Sequence, residues 1–117
     1  MFGTFDNLHA GHEFFLRSSK TRGDYLIVGI ALDEHVKALK DRRPTVNQER
    51  RRKSVEEAAF VDEAVLCDKE LGSFEILDAT KPDLIVLGHD QYDLEQALIE
   101  WMSSRNAYIP MLRIKKL

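Results

Sequence analysis

The stretch YLIVGIAL, Tyr25–Leu32, is apolar along its whole length and has no polar face. Apolar runs of this length are typical of strands that are buried on both faces of a parallel sheet. A second run, DLIVL at Asp83–Leu87, has the same character after its first residue. Both runs are far shorter than the roughly 20 apolar residues that a membrane helix needs. They therefore predict interior strands of a soluble α/β fold.

Segments with strand and helix patterns alternate along the rest of the chain. The predicted strands are Met1–Thr4, Tyr25–Leu32, Asp62–Cys67, Asp83–Leu87 and Tyr108–Ile114. The predicted helices are Gly11–Arg22, one that Asp33 can cap, one from a cap at Asn47 to Phe60, Gly72–Thr80 and Leu94–Ser104. This alternation predicts an α/β fold with a mainly parallel sheet. We expect a Rossmann-like, doubly wound, five-stranded sheet with helices on both faces.

The composition narrows the class of protein. The chain has 117 residues, 44% of them apolar, which fits one domain with a real core. Its net charge of -3 does not suggest a nucleic-acid binder, and we expect neither nucleic acid nor a membrane as a partner. The single cysteine, Cys67, excludes a disulfide framework and a multi-cysteine zinc site. A reduced, cytoplasmic setting is therefore expected.

The segment HAGH, His9–His12, lies where the first predicted helix begins. The backbone N–H groups and the dipole of a helix start favour an anion, and residues three apart share one helix face. Gly11 would let a phosphate approach the backbone closely. A metal site needs further ligands, and no cysteine or paired carboxylate is near. The alternative is an ordinary loop whose histidines cap the helix or face solvent, but the preceding run Gly3–Asp6 favours phosphate binding.

Gly3 and Thr4 end a predicted strand, where N–H groups and a hydroxyl can hold phosphate oxygens. The segment is not a Walker loop, because no Gly-Lys-Ser/Thr follows it. It is not a dinucleotide fingerprint either, because the chain has no G-x-G-x-x-G.

Two further segments follow predicted strands, where ligands of open α/β sheets bind. The basic segment with Lys37, Lys40, Arg42 and Arg43 could clamp a triphosphate, and we favour Lys37 or Lys40. A solvated helix face is the alternative for most of these residues and for the run Arg50–Lys53. Three consecutive arginines on a helix cannot all point at one site.

The other segment is Gly88–Gln91, which follows DLIVL. Asp90 and Gln91 can pair with the amino and ring-nitrogen edge of a base. A strand-to-helix turn with Asp90 as the N-cap is an equal alternative.

The segment GTFDNLHAGHEFFL, residues 3–16, resembles the signature of the cytidylyltransferase-like nucleotidyltransferases, a Gly-Thr-Phe-Asp run followed by H-x-G-H. The likeness continues through RGDYLIVGIALDEHV, PTVNQERR, FVDEAVL and KPDLIVLGHDQ. Within this superfamily, LGHDQ most resembles the archaeal-type FAD synthases, which adenylate FMN. Glycerol-3-phosphate-type cytidylyltransferases that use CTP are the alternative. A nucleotide-binding homologue without turnover is a third.

The resemblance implies a nucleotidyltransferase that moves AMP from ATP to FMN, with pyrophosphate as the second product. His9 and His12 would hold the triphosphate and stabilise the transition state, and Lys37 or Lys40 would neutralise phosphate charge. The implied nucleotide contacts also include Gly3, Thr4, Phe5, Ala10, Gly11 and Asp90, and the implied substrate contacts are Asp6 and Gln91. No protein metal ligand is implied. Mg²⁺ or another divalent cation would be held mainly by the nucleotide phosphates, and a homodimer is expected.

The family pattern also sets an expectation for the ends of the chain. We expect one nucleotidyltransferase domain over residues 1–117 that is trimmed at both ends. The sequence begins inside the first strand. It stops at Arg113–Leu117, before the serine- and threonine-rich segment of relatives.

Overall fold

The computed structural model describes residues 1–115, apart from the side chain of Leu39, so the last two residues of the predicted C-terminal segment lie outside the description. The strands are β1 (Phe2–Gly3), β2 (Ile27–Ile30), β3 (Glu63–Leu66), β4 (Ile85–Leu87) and β5 (Met111–Arg113). The helices are α1 (Ala10–Lys20), α2 (Asp33–Lys40), α3 (Gln48–Glu56), α4 (Glu75–Thr80) and α5 (Tyr92–Arg105). The described residues form two compact units, residues 1–67 and residues 68–115.

The first unit is built around a parallel three-stranded sheet in the order β1-β2-β3. The central strand, β2, pairs Gly29 with Phe2 of β1 and Val28 with Ala64 of β3. Val28 and Ile30 are completely buried. The central strand has neighbours on both edges and helices packed over it, which explains why its sequence has no polar face.

Two helices of the first unit supply the rest of its core. α1 buries Leu16, and α3 buries Val55. Both side chains pack with Val28 and Ile30 of β2 and with the buried ring of Phe5. Phe5 lies just beyond β1, so the residues that follow this strand are anchored in the core rather than free in solvent.

One charged side chain, Arg51 of α3, is also buried in the first unit, with 1% of its surface exposed. Its Nε donates a hydrogen bond to the carbonyl oxygen of Val46 at 2.8 Å, and its Nη1 donates to the carbonyl oxygen of Thr4 at 2.8 Å. Its Nη2 donates to Oδ1 of Asp33 at 2.7 Å. The guanidinium therefore joins the end of β1, the segment before α3 and the start of α2.

The second unit contains the parallel pair β4 and β5. All three residues of β4 are buried, in agreement with the apolar run that predicts this strand. α5 buries Leu98 and Met102, and α4 buries Leu77. Arg105 of α5 pairs with Asp78 of α4 at 2.7 Å, so the two helices are also joined by an ion pair.

The predicted α/β class is confirmed, and all five predicted strands form with parallel pairing. They form a three-stranded sheet in the first unit and a two-stranded sheet in the second, where the sequence predicts one five-stranded sheet. The predicted segments are mostly longer than the elements they contain. The third helix ends at Glu56 instead of Phe60, because the chain turns there into the approach to β3. The expectation of a single domain over residues 1–117 stays a prediction.

The structure shows which of the predicted N-cap residues begin their helices and which do not. Asn47 caps α3 as predicted, since its Oδ1 accepts a hydrogen bond from the N–H of Arg50 at 2.9 Å. Asp33 is wrong as the cap of α2, because Leu32 holds that position and the Asp33 carboxylate pairs with Arg51. Asp90 does not cap α5, whose N-cap residue is Gln91.

Among the residues that the structure describes, no helix has the length and apolar character needed to cross a membrane.

The burial of Arg51 leads to a stability prediction. Arg51→Met keeps most of the side-chain volume but leaves the Asp33 carboxylate and two carbonyl oxygens without their donor. Breaking a buried ion pair in this way costs about 3–5 kcal/mol. Urea unfolding of the variant, followed by circular dichroism, should show that loss of free energy of unfolding.

The matched control is Arg52→Met on the same helix. Arg52 forms its ion pairs with Glu49 and Glu56 at the surface, so its loss should cost far less. Equal losses for the two variants would contradict the structural role assigned to Arg51.

Candidate functional site

Two histidine side chains meet at the start of α1. His9 precedes the helix in an extended conformation, and its Nδ1 accepts a hydrogen bond from the N–H of Gly11 at 3.1 Å. Nδ1 of His12 accepts a hydrogen bond from the N–H of His9 at 3.3 Å, so the two residues form a reciprocal capping pair. A Cβ at Gly11 would lie 2.9 Å from Cε1 of His9, so glycine leaves room for the ring.

The capping bonds fix how the two imidazoles present their protons. A neutral imidazole has one N–H and one acceptor nitrogen. Because Nδ1 is the acceptor in both rings, the proton of each neutral ring is on Nε2. The rings of His9 and His12 are stacked, with their centroids 3.8 Å apart and their planes 21° apart. The pair therefore offers two Nε2–H donors at the start of a helix, where an anion is favoured.

The surroundings of His12 favour its neutral form. Burial lowers the pKa of His12 below its ordinary value, and the charges of His9 and Lys40 lower it further, while Asp6 acts in the opposite direction. A bound anion would raise the pKa of His12, because a nearby negative charge stabilises the protonated ring. Because Nε2 already carries the proton, protonation would occur at Nδ1 and would cost the capping hydrogen bond from the N–H of His9, so the cap opposes that change.

Phe5 supports His12 from the core side. The two rings meet edge to face, with centroids 5.3 Å apart and planes at 63°. Phe5 has a φ of 53°, in the left-handed region that non-glycine residues seldom adopt. A Cβ at Gly3 would overlap the Phe5 ring. Gly3 thus makes room for the ring behind His12, and the direct nucleotide contacts of Gly3 and Phe5 stay a prediction.

Lys40 reaches the end of β1 from the last turn of α2. Its Nζ lies 3.4 Å from Oγ1 of Thr4, and its charge acts on the pKa of His12. The structure therefore brings one of the two predicted lysines to the histidine pair. Lys37 is exposed on the same helix.

Asp6 joins the loop after β1 to the segment before α3. Its two carboxylate oxygens accept hydrogen bonds from the N–H groups of Thr45 and Val46, each at 2.8 Å. Burial tends to raise the pKa of Asp6, but these N–H groups and the charge of Arg51 outweigh burial and hold the pKa below its ordinary value. The carboxylate acts inside the fold, and a substrate contact of Asp6 stays a prediction.

The segment that Asp6 holds forms one wall of a cavity of about 340 Å³ in the first unit. The cavity is lined by Asp33, Arg43, Pro44, Thr45, Val46, Asn47 and Arg50. The sequence alone does not predict this cavity, because its walls come from the start of α2 and the segment around the start of α3, which are joined by long-range bonds of Asp33 to Arg51 and Gln48.

The second unit carries the segment Gly88–Gln91. The side chain of Gln91 turns back on this segment, where its Oε1 accepts a hydrogen bond from the N–H of Gly88 at 2.7 Å. Arg113 donates to the carbonyl oxygen of Gly88 at 2.7 Å and to Glu95 at 2.8 Å, and its guanidinium lies 4.1 Å from the ring centroid of the exposed Tyr92. The carboxylate of Asp90 is largely exposed.

The sequence-predicted residues thus fall into three groups. The first unit brings together Gly3, Thr4, Phe5, Asp6, His9, Gly11, His12 and Lys40, with Ala10 as the first residue of α1. Lys37 is exposed on α2, and Asp90 and Gln91 belong to the second unit.

Arg51 is the functional residue that sequence reasoning missed. It lies between Arg50 and Arg52, and the three look alike in the sequence. One signal was available: Val55, four residues further along α3, is apolar, and residues four apart share a helix face. That spacing places Arg51 on the buried side of α3.

Among residues 1–115, the structure shows no group of three or more histidine, cysteine or acidic side chains that could hold a metal ion.

The chain is similar to known proteins over nearly its whole length. The cytidylyltransferase-like family model matches residues 1–112. FAD synthase from Archaeoglobus fulgidus is 42% identical over 97% of this chain and 80% of that protein. FAD synthase from Ferroglobus placidus is 41% identical over 97% of this chain and 72% of that protein.

A solved structure has the same fold. The crystal structure of the lipopolysaccharide core biosynthesis protein from Thermoplasma volcanium matches with a TM-score of 0.89 and 31% identity, and the match covers 99% of this chain and 93% of that one.

The lowered pKa of Asp6 predicts how stability depends on pH. Since the folded pKa lies below the ordinary value of 3.8, ionised Asp6 stabilises the fold above that pH, and this contribution is lost as the pH falls through the folded pKa. Asp6→Asn should therefore be less stable than the wild type at pH 7, and the difference should shrink below about pH 4. Urea unfolding of both proteins at a series of pH values measures this difference in the free energy of unfolding.

Asn47→Ala provides the control, since it removes the uncharged cap of α3 and its loss of stability should be the same at every pH. A stability difference for Asp6→Asn that stays constant down to acid pH would contradict the assignment.

Proposed function

The chain belongs to the cytidylyltransferase-like family, and we propose that it transfers AMP from ATP to the phosphate of FMN, which forms FAD and releases pyrophosphate. Support for the FMN acceptor comes from relatives named FAD synthase, which are 38–42% identical to this chain. The structural observation that carries the proposal is the stacked pair of His9 and His12, whose Nδ1 atoms are both occupied by backbone N–H groups.

The reaction needs positioning and charge stabilisation more than a strong base. An oxygen of the FMN phosphate forms a bond to the α-phosphorus of ATP, and the bond from that phosphorus to the bridging oxygen of pyrophosphate breaks. A phosphate monoester is already largely ionised near neutral pH, so no proton has to be removed from the attacking oxygen. Charge grows on the phosphate oxygens as the bonds change.

His9 and His12 are suited to that growing charge. Each ring can donate an Nε2–H hydrogen bond to a phosphate oxygen, and the N–H groups of the first turn of α1 lie beside them. Because both rings are fixed by capping bonds, their donors need little rearrangement when ATP binds. Preorganised donors of this kind stabilise transition-state charge more effectively than water does.

The neutral form of His12 suits its role as an Nε2–H donor. Burial and the charges of His9 and Lys40 keep the pKa of His12 low before binding. The negative phosphates oppose those effects, but a second proton would go to Nδ1 and displace the hydrogen bond from the N–H of His9, so the capped ring donates from Nε2 as a neutral imidazole. Lys40, close to Thr4, supplies positive charge at the phosphates.

The remaining predicted contacts belong to the same proposal. Asp90 would contact the base or the ribose, while Gln91 would contact the acceptor. Lys37 is a weaker candidate than Lys40, because Lys40 is the lysine whose charge acts on the pKa of His12. A homodimer also stays a prediction.

A divalent cation fits this chain only as a partner of the nucleotide. No cluster of three potential ligands occurs within residues 1–115, and both oxygens of Asp6 accept backbone hydrogen bonds. We therefore propose that Mg²⁺ is held by the nucleotide phosphates. When bound, it supplies charge neutralisation at the triphosphate.

A panel of substrates tests the proposed function. The purified chain is incubated with ATP or CTP and with FMN or glycerol 3-phosphate, in the presence of Mg²⁺. We expect pyrophosphate release and FAD formation with ATP and FMN only. Chromatography detects the FAD. Turnover with CTP and glycerol 3-phosphate alone would replace the proposal by a cytidylyltransferase, and binding without any turnover would reject an enzyme.

His12→Asn separates catalysis from stability. The asparagine Oδ1 can still accept the hydrogen bond from the N–H of His9, but the variant has no Nε2–H. We expect turnover to fall by about 100-fold or more, as for the loss of other preorganised donors, while the melting temperature changes little. Glu13→Gln, at the next and exposed position, is the control and should retain turnover. Near wild-type turnover of His12→Asn would rule out the phosphate-binding role.

A further inference from the structure

The cavity of about 340 Å³ in the first unit has a positively charged lining, and neither His9 nor His12 is part of that lining. Its walls include Arg43 and Thr45 from the segment before α3, and Asn47 and Arg50 from the start of that helix. Its volume lies at the lower end of the range of small-molecule sites.

Arg43 and Arg50 differ from Arg51 and Arg52 of α3 in their partners. Arg51 is buried against Asp33, and Arg52 pairs with acidic residues of its own helix. Within residues 1–115, no acidic side chain forms an ion pair with Arg43 or Arg50. Both are exposed at the cavity, so their guanidinium groups are available to an anion.

One acidic side chain, Asp33, also lines the cavity. Its Oδ1 accepts the 2.7 Å hydrogen bond from Arg51, whose guanidinium carries a full positive charge. The two charges offset one another locally. The net contribution of the cavity walls is therefore the positive charge of Arg43 and Arg50, on a chain whose overall charge is -3.

The cavity shares its supports with the histidine pair. Val46 lines the cavity and accepts a hydrogen bond from Arg51, which also donates to the carbonyl oxygen of Thr4. Asp6, whose charge acts on the pKa of His12, holds the N–H groups of Thr45 and Val46. One buried guanidinium and one carboxylate thus connect the wall of the cavity to the residues that run from β1 to the histidine pair.

We propose that this cavity binds the phosphate monoester of the acceptor, with Arg43 and Arg50 as its ligands. The inference rests on the proposed function, in which two phosphate-bearing substrates react. In the proposed function the histidine pair at the start of α1 binds the triphosphate. The cavity is then a second anion-binding site, which is available to the second substrate. Guanidinium groups suit this role because they bind phosphate oxygens in a bidentate manner and remain charged.

The test compares two double variants with the same loss of charge. Arg43→Gln with Arg50→Gln removes the two cavity arginines. Arg42→Gln with Arg52→Gln removes one residue from the same segment and one from the same helix, neither of which lines the cavity. Steady-state kinetics give KM for FMN and for ATP, and flavin fluorescence gives the affinities for FMN and for riboflavin, which has no phosphate.

For the cavity variant, we expect KM and Kd for FMN to rise by roughly tenfold or more, as loss of charged hydrogen bonds implies. KM for ATP and the affinity for riboflavin should stay within about twofold of wild type, and the control variant should behave as wild type for FMN. An unchanged KM for FMN, or a rise in KM for ATP instead, would overturn the proposal while leaving FAD synthesis intact.

A second measurement separates failure of this proposal from failure of the proposed function. If the wild type forms no FAD, the proposed function is rejected. Inorganic phosphate alone then tests whether the cavity binds an anion. Phosphate should then raise the melting temperature of the wild type and of the control variant more than that of the cavity variant. Equal shifts in all three proteins, or no shift in the wild type, would overturn the cavity assignment.

Discussion

The guanidinium of Arg51 holds three separate parts of the first unit in place. It donates to the carbonyl oxygens of Thr4 and Val46 and pairs with Asp33. A buried cation is tolerated only when such partners compensate for the lost water, so none of the three parts can move away without a large cost. The end of β1, the start of α2 and the segment before α3 are therefore fixed relative to one another.

The chemistry of the candidate site follows from that constraint. Because the end of β1 is fixed, Phe5 stays in the core and supports His12, and the histidines cap α1 with their Nδ1 atoms. Asp6 reinforces the same arrangement by holding the segment before α3. Lys40 extends from the helix whose start Arg51 secures. The positions of the histidines, of Lys40 and of the cavity arginines thus depend on the buried guanidinium of Arg51.

Much of this architecture could be predicted from local sequence. The apolar run around β2 indicates a buried strand, and the cap at Asn47 and the anion-binding pattern of His9–His12 depend on residues close together in the chain. The roles of Arg51 and Asp6 could not be found in this way, because their partners lie up to 47 residues away. The spacing to Val55 indicates which of the three consecutive arginines faces the core, but only the folded chain shows which groups Arg51 binds there. The exact bounds of α3 were also missed, since tertiary contacts decide where it ends.

The central claim is that His9 and His12 form a fixed pair of Nε2–H donors for phosphate. Long-range ¹H–¹⁵N correlation spectra of the imidazoles, recorded near neutral pH with and without inorganic pyrophosphate, test it most directly. We predict that the neutral form of each ring carries its proton on Nε2, that each Nδ1 accepts its capping hydrogen bond, and that pyrophosphate shifts the Nε2 resonances. A proton on Nδ1 in either free ring, or Nε2 resonances that do not respond to pyrophosphate, would contradict the account.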